Sequence, residues 1–243
     1  MKQSIFEIKT NEALTSTVFK MTLAGDTSPV TAPGQFVNIK LDGLYLRRPI
    51  SVCDVEGDKL TIIYKAVGKG TEQMAAAPVG EKWLVLTGLG NGYDLTKSGD
   101  RPLLIGGGAG VPPMYNLAKR LIAEGKKPVA ILGFGKRDEV FFKEEFEALG
   151  VKVLVTTVDG SEGVKGFVTD AMDGIDYTYF YTCGPEPMLK AVYNKTETSG
   201  QFSFEERMGC GFGACMGCSC KTKYGNKRIC RDGPVLEKEE IIW

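Results

Sequence analysis

Short runs in which apolar and polar residues alternate occupy the first part of the chain. A period of two is typical of strands that bury one face and expose the other. Glycine, proline and aspartate separate the runs, as expected for tight turns. The pattern predicts an antiparallel β-barrel over residues 1–98. Its clearest runs are Phe19–Leu23, Val37–Leu41, Leu60–Tyr64 and Trp83–Val85.

The pattern changes after the polar link Thr96–Asp100. Continuous apolar runs, predicted to be buried strands, now alternate with helical stretches, a pattern typical of a parallel sheet covered on both faces. We therefore predict an α/β domain over residues 99–200. The strand candidates are Leu103–Ile105, Val129–Leu132, Val151–Val158 and Tyr177–Tyr181, and the helix candidates are Pro112–Glu124 and Phe141–Leu149.

The remaining segment, residues 201–243, is rich in glycine, cysteine and charged residues. It is too short to bury a core of its own without a metal centre. Its cysteines follow the spacing C-x4-C-x2-C…C, by which plant-type ferredoxins hold a [2Fe–2S] cluster. Each iron of such a cluster takes two protein sulfurs, so four thiolates are needed. The predicted ligands are Cys210, Cys215, Cys218 and Cys230.

Two other uses of these cysteines remain to be weighed. Zinc sites more often use separated C-x2-C pairs, and the glycine-rich first gap suits zinc less well. A disulfide framework needs an oxidising compartment, whereas Met1–Ile5 shows no apolar signal segment, so we expect a reducing cytoplasm. Cys220 lies two residues beyond Cys218, and we expect it to be a neighbour of the cluster rather than a ligand.

Composition excludes several classes of function. The chain has 243 residues, 43% of them hydrophobic, and 30 basic residues balance 30 acidic ones. The absence of a basic excess argues against nucleic acid, and no apolar run is long enough to span a membrane. The chain has no histidine. This excludes histidine-based acid–base catalysis, haem held by histidine and nearly all catalytic zinc sites.

Two glycine-containing loops indicate a nucleotide site. The strand Leu103–Ile105 runs into Gly106–Gly110, and a helix follows. Glycines at a strand end let phosphates approach the backbone, and the helix start offers free N–H groups. The loop departs from the strict G-x-G-x-x-G pattern, and a plain tight turn is the alternative. A second loop, Cys183–Met188, is predicted at the same edge of the sheet and favours the nucleotide site.

The barrel region carries two candidate phosphate loops. Arg47 and Arg48 precede Pro49-Ile50-Ser51, and two arginines with a serine can clamp a phosphate. A solvated pair of surface arginines is the alternative. Gly68–Thr71 is the second candidate, because its glycines and hydroxyl open a predicted helix.

The combination of an R-P-x-S loop, a G-x-G-T loop, G-G-G-x-G and C-G-P resembles the ferredoxin–NADP reductase superfamily. The cysteine segment narrows this resemblance. Glu206–Cys218 and Cys230–Val235, and indeed the whole chain, resemble the electron-transfer subunits of type B dihydroorotate dehydrogenases. The resemblance is most specific in the cysteine segment, since the glycine loops are shared across the superfamily.

The resemblance implies FAD in the barrel, NAD in the α/β domain and a [2Fe–2S] cluster in the C-terminal segment. It places Cys183 near the nicotinamide ring, as the catalytic candidate. The implied FAD-binding residues are Arg48, Pro49, Ile50, Ser51, Ile63, Tyr64, Lys65, Gly70 and Thr71. The implied NAD-binding residues are Gly106, Gly107, Gly108, Ala109 and Gly110.

Two points depart from this pattern or remain open. Many superfamily members have tyrosine where Ile50 stands, so a stack on the flavin is lost, and we expect Tyr64 to replace it in part. Lys136 and Arg137 suit the 2′-phosphate of NADP, while Asp138 and Glu139 suit the free ribose hydroxyl of NAD. The family favours NAD.

The resemblance implies an oxidoreductase subunit of pyrimidine biosynthesis. Electrons pass singly through the cluster, pair on FAD and leave to NAD⁺ as hydride. Dihydroorotate oxidation requires a barrel of about 250 residues with a second flavin, so we expect an FMN-containing catalytic partner subunit in a heterotetramer. The alternatives are the small subunit of an NADH-dependent ferredoxin–NADP or sulfide-type oxidoreductase, and a zinc-stabilised nucleotide-binding regulator.

Overall fold

A computed structural model describes all residues, 1–243. Its first part is a closed antiparallel barrel of six strands in the order β1-β2-β5-β4-β3-β6. The predicted barrel is therefore confirmed. One helix, α1 (Lys69–Ala76), follows the fifth strand. The strands are β1 (Lys2–Ala13), β2 (Val18–Ala24), β3 (Phe36–Ile39), β4 (Arg48–Glu56), β5 (Lys59–Lys65) and β6 (Lys82–Leu89).

The second part is a seven-stranded sheet in the order β10-β9-β8-β7-β11-β12-β15. All neighbouring strands are parallel except the last pair. Its strands are β7 (Pro102–Gly107), β8 (Val129–Phe134), β9 (Lys152–Thr157), β10 (Val164–Lys165), β11 (Tyr179–Cys183), β12 (Gly200–Ser203) and β15 (Val235–Glu237). Its helices are α2 (Val111–Ala123), α3 (Lys143–Ala148) and α4 (Glu186–Lys195). The predicted α/β class is confirmed.

The helix predicted over 141–149 is shorter in the structure. Phe142 has a φ of 66°, in the left-handed region, and the helix begins only after it. Phe141 and Phe142 are buried in the core beside the sheet instead. Packing of these two rings therefore overrides the helical pattern at the start of α3.

Successive strands of the sheet are added on one side of β7 first and then on its other side. The strands β8 and β9 extend the sheet to one side, and β11 and β12 extend it to the other. The carboxyl ends of strands at such a switch point form a crevice in which ligands of open α/β sheets bind. The loop after β7 and the start of α2 therefore stand at the natural ligand-binding edge.

The C-terminal segment joins the sheet rather than standing apart from it. It contains the hairpin β13 (Ser219–Thr222) and β14 (Gly225–Arg228), the short helix α5 (Ile229–Asp232), and β15. β15 pairs antiparallel with β12. Ile229, Cys230 and Leu236 are buried in the same core as Phe180 of β11. The boundary predicted at residue 200 coincides with the first residue of β12, inside this shared core.

The barrel and the sheet share a second continuous core. Val18, Cys53 and Ile63 of the barrel pack in one buried cluster with Leu104 and Val111 of the second domain. At the border of this core, Lys119 Nζ on α2 lies 2.7 Å from Asp54 Oδ2 and 2.8 Å from Glu56 Oε1 on β4. The loops at the sheet edge are thereby fixed relative to the barrel. None of the helices has the length and apolar character needed to cross a membrane.

Replacing Leu236 by alanine should destabilise the sheet domain together with the C-terminal segment. Leu236 is 2% exposed, and removal of a buried leucine side chain costs about 2–5 kcal/mol. Chemical denaturation followed by circular dichroism should show one transition at a lower midpoint. Ile242→Ala is the matched control, because Ile242 is 48% exposed. An unchanged midpoint in Leu236→Ala would refute the shared core.

Candidate functional site

A cavity of about 470 Å³ lies between the barrel and the carboxyl edge of the sheet. This volume is within the range of small-molecule sites. Three of the predicted flavin residues, Ile63, Tyr64 and Lys65, line it from β5. Gly107, Gly108 and Ala109 line it from the opposite side. The structure thus brings two separately predicted residue sets, one from each domain, into the wall of one cavity.

The glycine loop at the end of β7 serves two purposes. Gly107, Gly108 and Ala109 face the cavity, whereas Gly106 and Gly110 are packing positions. A Cβ on Gly110 would lie 2.1 Å from the carbonyl oxygen of Cys183. Only glycine allows the start of α2 to approach the end of β11 so closely. The two loops predicted to bind the nucleotide are therefore in direct contact.

Cys183 lies outside the cavity wall. It is 2% exposed, and its neighbours Pro185, Pro187 and Met188 line the cavity instead. Burial, and to a smaller extent the Glu205 carboxylate, raise the pKa of the Cys183 thiol to about 12 against the opposing effect of a hydrogen bond with Ser203. The thiol is therefore protonated near neutral pH. Its role beside the nicotinamide stays a prediction.

The predicted flavin loops of the barrel meet at Gly70. A Cβ on Gly70 would lie 2.1 Å from Arg48 Nε, so the guanidinium of β4 covers the first turn of α1. The hydroxyl of Thr71 accepts from the backbone N–H of Val67 at 2.9 Å and donates to the Gly68 carbonyl at 3.1 Å. Arg48 and the helix start therefore form one cationic corner on the barrel. Pro49, Ile50 and Ser51 continue from it along β4.

Tyr64 borders the cavity but is almost entirely buried, and its partial replacement of the missing flavin-stacking tyrosine stays a prediction. Its ring is 2% exposed and packs against Phe19, with ring centroids 5.9 Å apart. Its hydroxyl donates to Asn11 Oδ1 at 2.9 Å. Burial raises the pKa of this phenol above its usual value. Because alternate residues of a strand face the same side, Tyr64 fills the barrel interior with Leu60 and Ile62.

The four predicted cluster cysteines lie in two pairs. The N–H of Cys210 donates to Cys215 Sγ at 3.4 Å, and the N–H of Cys215 donates to Cys210 Sγ at 3.4 Å. The N–H of Cys230 donates to Cys218 Sγ at 3.4 Å. No three His, Cys, Asp or Glu side chains lie close enough together to hold a single metal ion. Two pairs suit a two-iron cluster, in which each iron takes two protein sulfurs.

Backbone N–H groups favour the thiolate at the first of these cysteines. Partial burial raises the pKa of Cys210, but donors from Phe212, Cys215 and Ala214 outweigh this and lower the pKa to about 6. N–H groups that point at a sulfur stabilise its negative charge. The loop around Cys210 therefore has the donor arrangement that a thiolate ligand needs.

Cys220 lies on β13, opposite Lys227, and belongs to neither sulfur pair. Burial raises the pKa of its thiol above the ordinary value. This position agrees with the expectation of a neighbour. The cysteines are all free thiols, without a disulfide.

Many cavity residues were not among the predicted nucleotide-binding positions, and three of them lie at the ends of β8 and β9. Phe134 and Gly135 line the cavity at the end of β8, and Thr156 lines it near the end of β9. Thr156 Oγ1 is buried without a hydrogen-bond partner. The Gly133-Phe134-Gly135 sequence was a usable signal, because it ends a buried strand at the same sheet edge as the first glycine loop.

The charged residues considered for NADP and NAD differ in their positions. Glu139 lines the cavity, and its Oε2 accepts from the Gly135 N–H at 3.1 Å. Arg137 Nε lies 3.5 Å from Glu162 Oε2, and Lys136 Nζ lies 3.7 Å from Asp138 Oδ2. The two cations are thus exposed and already paired, while a carboxylate faces the cavity.

Two family models match parts of this chain. Residues 205–242 match the family model described as the iron-sulfur cluster binding domain of dihydroorotate dehydrogenase B. Residues 104–194 match the oxidoreductase NAD-binding domain. The first match contains the four paired cysteines, and the second contains the cavity-lining glycine loop.

Relatives match over nearly the whole chain. The dihydroorotate dehydrogenase B (NAD(+)) electron transfer subunit of Bacillus mycoides is 43% identical, over 99% of this chain and 98% of the relative. The subunit of the same name from Lysinibacillus sphaericus is 43% identical, over 99% of each chain.

Solved structures share the fold. A chain of the NADH-dependent reduced ferredoxin-NADP oxidoreductase superposes with a TM-score of 0.90 at 31% identity, over 99% of this chain and 90% of that one. A ferredoxin NADP+ reductase from Neisseria gonorrhoeae, with bound FAD and NADP, superposes with a TM-score of 0.70 at 16% identity, over 80% of this chain and 90% of that one, which shows the fold alone. Together with the identity to the curated relatives, these findings confirm the resemblance in the cysteine segment, and the chain belongs to the family of dihydroorotate dehydrogenase B (NAD+) electron transfer subunits.

Proposed function

We propose that this chain carries electrons from a partner subunit that oxidises dihydroorotate, through a [2Fe–2S] cluster and FAD, to NAD⁺. One observation carries the proposal above the others. Two sulfur pairs and a cavity shared by the barrel and the sheet edge occur in one chain, and both rest on the same barrel. Electron transfer requires that such sites be held close together.

The cluster would be held by Cys210 and Cys215 on one iron and by Cys218 and Cys230 on the other. The pairing supports this assignment, and so does the N–H arrangement around Cys210. The cluster loop is also fastened to α5. Arg228 donates to both carboxylate oxygens of Asp232 and to the Gly213 carbonyl, at 2.9–3.3 Å. This network fixes the first pair of sulfurs relative to the second.

FAD would lie on the barrel, with its phosphates at Arg48, Gly70 and the start of α1. Support comes from the close approach of the Arg48 guanidinium to Gly70, where a Cβ would lie 2.1 Å from Arg48 Nε. Ser51 and Pro49 on β4, with Ile63 and Lys65 on β5, provide the remaining contacts that the family pattern assigns. When bound, FAD exchanges hydride with a nicotinamide and single electrons with a cluster.

NAD would enter the cavity with its phosphates against Gly107, Gly108 and Ala109. The backbone of these residues offers the close approach that phosphates need. Glu139 at the cavity wall would accept from a ribose hydroxyl, and its negative charge disfavours a 2′-phosphate there. Cys183 would act from behind this loop, close to the nicotinamide, through its packing against Gly110.

The partner would be an FMN-containing catalytic subunit, and the assembly a heterotetramer in the cytoplasm. A barrel that oxidises dihydroorotate needs about 250 residues, and the 243 residues described form a six-stranded barrel, a parallel-sheet domain and the cysteine segment instead. The exposed side of the cluster loop supports docking there, since Cys215 is exposed. A reducing compartment would keep all the thiols available as ligands.

The isolated chain should oxidise NADH with artificial electron acceptors but form no orotate from dihydroorotate. The reason is that it contains sites for NAD, flavin and cluster but no domain for dihydroorotate. Copurification with an expressed catalytic subunit should restore dihydroorotate-dependent NAD⁺ reduction. Orotate formation by the chain alone would contradict the proposal.

The same purification distinguishes the proposed function from a second candidate function. The superposition on the NADH-dependent ferredoxin-NADP oxidoreductase chain favours a role as the small subunit of such an enzyme. Capture of a large flavin and iron–sulfur subunit from the native cell, in place of a dihydroorotate-oxidising subunit, would support that alternative.

Cys215→Ser should remove the cluster, because one iron would lose one of its two sulfur ligands. Iron per chain and the visible absorbance of the cluster should fall several-fold, while flavin content stays unchanged. Cys220→Ser is the matched control, since Cys220 belongs to neither sulfur pair. Equal iron loss in both variants would contradict the ligand assignment.

Gly70→Ala should weaken FAD binding without unfolding the chain. The new methyl group would displace the flexible Arg48 guanidinium, 2.1 Å away, rather than the backbone. The loss of one charge-assisted contact should raise the FAD dissociation constant about tenfold or more. Ala76→Ser is the control, because Ala76 is exposed at the opposite end of the same helix. Fluorescence titration of the deflavinated chain measures both, and equal affinities would refute the phosphate corner.

A further inference from the structure

Asn38 is a polar residue at the junction of the barrel and the cluster loop. It is 1% exposed and lies on β3, directly opposite Pro49 of β4 and Leu86 of β6. Its neighbours Val37 and Ile39 fill the barrel interior. Because successive side chains of a strand alternate, Asn38 faces outward, toward the C-terminal segment.

The amide of Asn38 holds the backbone of the first cluster cysteine. Its Nδ2 donates to the carbonyl of Cys210 at 3.3 Å. The next residue, Gly211, has a φ of 79°, and a Cβ there would lie 2.3 Å from Asn38 Nδ2. Because residue 211 is a glycine, the loop approaches the barrel more closely than it could with any other residue at that position. This is a direct contact between the barrel and the loop around Cys210.

Stability alone does not account for an asparagine at this position. Its Oδ1 is buried without a hydrogen-bond partner. A buried, unsatisfied acceptor costs about 1–3 kcal/mol. An apolar side chain of similar shape would avoid this cost and would still fill the space. What it would lose is the directional contact with Cys210.

Asn38 also shares a strand face with the proposed flavin site. Pro49 is its cross-strand partner, and Ser51 pairs with Phe36 on the same face of the ladder. Directly opposed side chains lie about 4.5–5.5 Å apart. One side chain thus stands next to the R-P-x-S strand and at the same time holds the Cys210 loop.

We propose that Asn38 is a positioning residue that fixes the distance between the iron–sulfur cluster and the flavin. The proposal rests on the function proposed above. One electron leaves one centre and the other centre gains it, so no bond forms or breaks and no further reactant is needed. The rate of such a transfer falls steeply with separation. The amide of Asn38 keeps the loop docked, and with it the short distance.

Asn38→Leu should slow electron transfer between the two centres while leaving each centre intact. Loss of a hydrogen bond of about 1 kcal/mol lowers the ratio of docked to undocked loop about fivefold. Rapid anaerobic mixing with NADH separates the steps, because flavin absorbance falls first and cluster absorbance follows. We expect the first phase to be unchanged and the second to be up to about fivefold slower. Asn38→Ala provides a second test with the same expected result.

Asn91→Leu is the matched control. The side chain of Asn91 also joins the barrel to the C-terminal segment, bonding the backbone of Val235 at 2.8 and 3.1 Å and the Asp232 carbonyl at 3.4 Å, but it does not contact the loop around Cys210. This variant should be less stable in chemical denaturation and yet keep both kinetic phases. Pulsed EPR should show a broader distribution of cluster–flavin distances in Asn38→Leu than in Asn91→Leu.

Two outcomes would overturn the proposal. One is a second phase within about twofold of the unmodified chain in both Asn38 variants. The other is loss of iron or of the fold in those variants, which would assign Asn38 to stability. Absence of flavin or iron from the unmodified chain would overturn the proposed function itself. The flavin and iron content of the chain, measured before any mixing experiment, reports this outcome.

Discussion

The pairing of β15 with β12 is the contact on which the rest of the molecule depends. The C-terminal segment, which contains five cysteines, is too short to bury a core alone. By placing Val235–Glu237 on the edge of the parallel sheet, the chain gives this segment the core of the larger domain. Asn91 then ties the end of the barrel to the same strand. Both domains therefore hold the C-terminal segment.

Contacts between the two domains also fix the glycine loop on the other side of the barrel. The buried cluster that joins Val18 and Ile63 to Leu104, together with the ion pairs of Lys119, fixes the glycine loop opposite β5. The barrel thus lies between two sites, with the cavity on one side and the cysteine loop on the other. An intermediate carrier bound to the barrel would be close to both, as a chain that moves electrons in sequence requires.

Much of this arrangement could be predicted from local patterns. Period-two alternation predicts the barrel, strand–helix alternation predicts the parallel sheet, and the cysteine spacing predicts two sulfur pairs. The strands β12 and β15 have only four and three residues, too short for a periodic signal. The contact of Asn38 with Cys210 joins residues 172 positions apart, which no local pattern reports. The inward direction of Tyr64, by contrast, was readable from its alternation with Leu60 and Ile62.

The central claim is that one chain holds both a two-iron cluster and a flavin. The most direct measurement is the iron, acid-labile sulfide and FAD content of the anaerobically purified chain, with its visible and EPR spectra. The account predicts about two irons, two sulfides and one FAD per chain, with the EPR signal of a reduced [2Fe–2S] centre. A chain that remains free of iron after reconstitution with iron and sulfide would contradict it.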